Sequence, residues 1–107
     1  MPTVNIHDVK NQPLFTFDQL NDDAKQTARL GFLSVELDGL KKWISDYKRK
    51  TIHQKVNSIA LSNIISQKMF INGLKSNTLK LDKMIVGNLC KFLSDGTYVL
   101  YSINATN

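Results

Sequence analysis

Between Asn21 and Phe92 the apolar residues recur at helical intervals, and only the two chain ends alternate as strands do. That division constrains the fold more than any other feature, because a period of 3.6 and a period of 2 bury different faces. Asn21 is placed to cap a helix, and Asp22 and Asp23 bring negative charge to its positive end. Ala24, Ala28, Phe32 and Val35 carry the helix forward, and Leu40, Trp43, Ile44 and Tyr47 continue the pattern. Gly39 marks either a stop or kink between two helices or a position inside one helix running to Lys50. Residues 54–72 form a further helix with Val56, Ile59, Ala60, Asn63, Ile64 and Gln67 on one face and Leu61, Ile65 and Met69 beside it. So broad an apolar surface predicts central burial. Asn72-Gly73 is expected to end it, and Leu81, Met84, Ile85, Leu89 and Phe92 mark a fourth helix.

At the ends, Thr3 to Ile6 alternates as a short strand, Asn11-Gln12-Pro13 reads as a turn, and Leu14 to Phe17 is a returning strand or an extended lead-in. Ser94-Asp95-Gly96 is a turn favouring positive φ, and Thr97 to Ile103 is rich in β-branched and aromatic residues. The expected fold is α+β, a single domain over residues 1–107 with three or four helices packed on a small antiparallel sheet formed by the chain ends. Val56, Ile59, Ala60, Ile64, Met84, Ile85, Leu89 and Phe92 are its expected core.

Several chemistries lack their usual residues. The single cysteine, Cys90, has no partner for an intramolecular disulfide, and His7 and His53 stand 46 positions apart without a second ligand at helical spacing. The five glycines are isolated, so no phosphate-cradling loop is present. No catalytic, cofactor or metal site is expected, and the chain reads as a non-enzymatic binding protein. Its apolar runs fall far short of the roughly 20 residues of a membrane span, and the first residues lack the pattern of a secretory signal. A cytoplasmic location without membrane contact is the expectation.

Charge is the most informative remaining property. Residues 1–40 carry six acids and three bases, whereas the rest carry eleven bases and three acids. The densest stretch holds Lys41, Lys42, Lys48, Arg49, Lys50 and Lys55 with His53, interleaved with Trp43 and Tyr47 against one acid, Asp46. Cations beside aromatic rings suit contact with phosphates and exposed bases of DNA or RNA. The same pattern also arises when Trp43 and Tyr47 enter the core and the lysines form a solvated face near a helix C-terminus.

Phe15-Thr16-Phe17-Asp18-Gln19-Leu20-Asn21-Asp22-Asp23-Ala24-Lys25-Gln26-Thr27-Ala28 resembles a segment near the N-terminus of small phage and prophage proteins. In those an aromatic and Phe-Asp-Glu-Leu precede Ser, two acids and Ala-Lys-x-x-Ala. Gln19, Asn21 and Thr27 depart from that pattern while keeping its helix-capping logic. The resemblance implies a phage-encoded inhibitor of a host defence complex, of the anti-CRISPR type, acting by protein–protein contact on a host protein or nucleoprotein complex. The alternative is a nucleic-acid-binding regulator using segment 41–55.

Overall fold

The computed structural model describes residues 3–51 and 58–101. Its elements are β1 (Thr3–Asn5), α1 (Asp22–Thr51), α2 (Ser58–Ser76), α3 (Thr78–Gly87), β2 (Lys91–Phe92) and β3 (Tyr98–Leu100), with 3-10 turns at Ile6–Asp8 and Phe17–Gln19. They form two compact units. One is built from the described residues up to Phe32 together with those from Leu79 onward, the other from Leu33–Thr78.

In the first unit the strands order as β1-β3-β2. The α+β class and the sheet drawn from the chain ends are as expected, but the sheet is mixed rather than antiparallel. β1 and β3 run parallel with Val4 opposite Val99, and β2 and β3 run antiparallel with Phe92 opposite Tyr98. The reason lies in the connections: three helices separate β1 from β3, length enough for a parallel return, while only β2 and β3 are joined by a tight turn. Leu14 to Phe17 form no full strand. Phe15 makes a single antiparallel bridge to Phe92, with N–H···O distances of 2.8 and 2.9 Å, and the chain then enters a 3-10 turn.

That turn and α1 start as the capping residues dictate. Gln19 Oε1 accepts the Thr16 N–H at 2.8 Å, and Asn21 Oδ1 accepts the Ala24 N–H at 2.8 Å. Phe17, Leu20, Ala24, Ala28 and Phe32 are buried, as are Leu81, Ile85, Phe92 and Val99. Phe92 meets the Phe17 ring edge-on at 6.2 Å and the Tyr98 ring at 5.3 Å, and Tyr98 stacks on Phe32 at 6.2 Å. The segment carrying the phage-protein resemblance is thus a cap and core-packing segment.

The fourth helix is shorter than its apolar spacing predicts. α3 ends at Gly87, and Leu89 turns into the left-handed region at φ 55° with its side chain 80% exposed. Leu89 is therefore not a core residue. Phe92 is buried, but from strand β2.

In the second unit α1 passes through Gly39 without a break and continues to Thr51. α2 passes through Asn72-Gly73 as well, and Ser76 closes it by donating its hydroxyl to the carbonyls of Asn72 and Gly73 at 3.4 and 3.1 Å. Leu40, Ile71 and Leu74 are buried. Of the expected core, Val56 lies outside the described residues, Ala60 and Ile64 are half-buried, and Ile59 is 73% exposed. The predicted central burial of α2 is overturned on its second face, where Leu61, Ile65 and Met69 are 39%, 51% and 68% exposed. Among the described residues no helix is long and apolar enough to cross a membrane.

Candidate binding surface on the Leu33–Thr78 unit

The whole net charge of the chain belongs to one unit. Leu33–Thr78 contains eight bases and three acids, while the remainder contains six of each. Composition by sequence halves obscures this, because α1 carries the acidic start of the chain and its basic continuation on one helix.

Along α1 each residue turns about 100°. Lys41, Lys42, Lys48 and Arg49 consequently project to one side, and Leu40, Ile44 and Tyr47 to the other. Lys50 and Trp43 lie next to each other at the border. All five cations are exposed, Ile44 and Tyr47 are half-buried, and Trp43 is 51% exposed. The two readings of the aromatic residues therefore part: Tyr47 leans inward, whereas Trp43 presents much of its indole outward beside Lys50. Arg49 Nη2 donates to Asp46 Oδ1 at 2.6 Å, an exposed i, i+3 pair that moderates one of the positive charges. His53 and Lys55, the last two predicted contact residues, lie outside the described residues.

Trp43 also edges a groove of about 340 Å³ lined with Val35, Glu36, Gly39, Leu40 and Gln67. A Cβ at Gly39 would meet nothing within 4 Å, so the groove is open at that point. Gln67 Nε2 approaches Glu36 Oε2 at 3.5 Å, which gives this otherwise apolar groove one polar wall. Sequence periodicity puts Gln67 on the packed face of its helix and gives Glu36 no role, and it is silent on their meeting, which joins residues 31 positions apart on two helices.

Cys90 and His7 belong to the other unit. Cys90 is buried with Sγ 3.4 Å from Tyr98 Oη, beside the aromatic cluster of the first unit. His7 is exposed in the first 3-10 turn, where its backbone N–H is bound by Asn5 Oδ1 at 3.0 Å. Among the described residues no group of three His, Cys, Asp or Glu side chains could hold a metal ion. Set against protein families, curated proteins and solved structures, the chain matches none of them.

Proposed function

We propose that this protein is a non-enzymatic binding protein that acts by protein–protein contact through its Leu33–Thr78 unit. The observation that carries the reading is the concentration of net charge in that unit together with an exposed cation row on α1 and a half-exposed Trp43 that adjoins Lys50. An aromatic anchor with cations on its rim suits an interface that meets an acidic surface. The phage-like segment at Phe15 to Ala28 gives the partner a class, a component of a host defence complex of the CRISPR type, which this protein would inhibit by occupying its surface. Affinity capture from bacterial lysate tests the reading. A protein partner retained after nuclease treatment, and lost when Lys48, Arg49 and Lys50 are all changed to Glu, supports it. Capture that disappears with nuclease refutes it.

One observation favours a second reading. Lys41, Lys42, Lys48 and Arg49 share one side of a helix, and Lys50 carries the positive charge round to Trp43, a spread that also suits the backbone of a nucleic acid with a base stacked on the indole. Nuclease-sensitive capture is the signature of this reading.

A further inference from the structure

We infer that the outer face of α2 is a second docking surface, which takes an acidic amphipathic helix of a partner protein. Leu61, Ile65 and Met69 stand at i, i+4 and i+8 and are 39%, 51% and 68% exposed, so large apolar side chains form one row along two turns. Residues at this spacing lie on one face of a helix, and apolar side chains aligned in water mark a surface that another element covers. The opposite face of α2, which carries the buried Ile71 and Leu74, accounts for the packing of the helix within its unit.

The flanks identify the occupant. At about 100° per residue, Lys68 and Lys75 line one edge of the row, and Ser62 and Ser66 line the other. Both lysines are exposed, and α2 contains no acid. A second copy of the chain would bring lysines against lysines when packed antiparallel and against serines when packed parallel, with no carboxylate on either helix to offset them. The row is also far smaller than the roughly 20–30 residues per side of a stable dimer interface. An anionic lipid surface satisfies the lysines but not the width, because serines bound the apolar row within one helix face, whereas an interfacial helix buries a broad apolar side. A partner helix with apolar anchors at i, i+4 and i+7 and carboxylates on the flank beside Lys68 and Lys75 satisfies both. The inference rests on the binding reading above but uses a different helix face from the cations of α1.

The test uses the full chain and a fluorescent synthetic peptide of about 18 residues, with leucines at i, i+4 and i+7, glutamates on the one flank that faces Lys68 and Lys75, and glutamines elsewhere. A second peptide replaces every glutamate by lysine, and vesicles of phosphatidylglycerol with phosphatidylcholine are a third probe. The acidic peptide is expected to bind, and either Ile65→Asp or the pair Lys68→Glu with Lys75→Glu to weaken it by about tenfold or more. The triple reversal of Lys48, Arg49 and Lys50 should change it by less than about threefold. Circular dichroism and an unchanged unfolding midpoint show that the variants, all altered at exposed positions, keep their fold. Equal binding of the two peptides, failure of the acidic peptide to bind, binding to vesicles alone, or self-association abolished by Ile65→Asp each overturn the inference. Failure of the acidic peptide alongside lysate capture that still depends on the α1 cations removes the α2 surface and leaves the proposed function standing.

Discussion

Arg29 grips Asp82 from 53 positions away, Nε to Oδ1 at 2.7 Å and Nη2 to Oδ2 at 2.9 Å, and the pair fastens α3 to the front of α1. The guanidinium also lies 5.6 Å from the centre of the Phe17 ring, so charge and cation–π contact act on one side chain. Its hydrogen bonds to Asp82 hold the Arg29 pKa above its ordinary value, partial burial opposes them, and the attraction of Asp82 and Asp22 adds to the rise. Both partners are only about a quarter exposed, so the two-pronged bond keeps much of its strength. Asp82→Asn preserves shape and removes the charge, and should lower stability by about 1–3 kcal/mol in chemical denaturation. Arg29→Lys should recover little of the geometry, because an ammonium cannot present two parallel donors.

The ends of the β2–β3 turn and of α3 make a contrasting pair of backbone positions. Gly96 adopts φ 92° against the backbone of Ala24, so a Cβ there would collide with the Ala24 carbonyl. Leu89 adopts φ 55° with its side chain in solvent. Gly96→Ala should therefore destabilise by about 1–3 kcal/mol. Leu89→Gly should instead stabilise by about 1 kcal/mol, since glycine relieves the left-handed strain and little packing is lost. Unfolding midpoints that move in opposite directions for the two substitutions are the expected result.

Asp95 orders the same turn. Thr97 Oγ1 donates to Asp95 Oδ1 at 2.7 Å and the Thr97 N–H donates to the same oxygen at 2.9 Å. These bonds, the hydroxyl's first, hold the Asp95 carboxyl below its ordinary pKa. A carboxyl with a folded pKa below its unfolded one contributes stability above the unfolded value, and that contribution fades as pH falls through the folded value. Carboxyl NMR titration should place Asp95 below an ordinary aspartate, and Thr97→Val should move it upward. In the same variant the decline of stability as pH falls through and below the ordinary aspartate range should become shallower.

Burial separates side chains that the helical spacing treats alike. Ile85 is fully buried and Ile59 is 73% exposed, though both belong to runs that predict a core. Ile85→Ala should cost about 2–5 kcal/mol, whereas Ile59→Ala should stay within about 0.5 kcal/mol. Denaturant midpoints of the two variants check the difference.

Local chemistry was the readable part of this sequence. Asn21 capping, the acids of the first α1 turn, the Asp95-Gly96 turn and the strand at Tyr98 each follow from a few adjacent residues. Pairing was not readable: the parallel match of Val4 with Val99 and the bridge from Phe15 to Phe92 join distant segments, and nothing local records their direction. Phe92 fitted the helical spacing of Leu81 and Ile85 because i+4 and i+7 steps continue numerically past a helix end. The spacing of Leu61, Ile65 and Met69 is equally silent, since a row made for a core and a row made for a partner have the same period. On α1 the cation cluster was legible from composition, but the outward placement of Trp43 needed the structure.

The charge of that cluster gives the sharpest functional test. If the α1 cations neutralise phosphates, the logarithm of affinity should fall linearly with the logarithm of salt concentration, by about 0.9 per duplex phosphate or about 0.7 on a single strand. Four or five such contacts from Lys41, Lys42, Lys48, Arg49 and Lys50 would make the slope steep, and the Arg49–Asp46 pair should weaken one of them. Asp46→Asn would then strengthen binding and steepen the slope, because it releases Arg49 and removes a negative charge. An acidic protein partner responds differently: salt slows association, while affinity depends mainly on a few desolvated anchors such as Trp43. Trp43→Ala should accordingly reduce affinity for a protein partner by about tenfold or more with little change in salt dependence. Titration calorimetry with short DNA and RNA at two ionic strengths, on the parent chain, Asp46→Asn and Trp43→Ala, distinguishes the cases. Under the proposed protein-binding function, neither nucleic acid should bind measurably even at low salt.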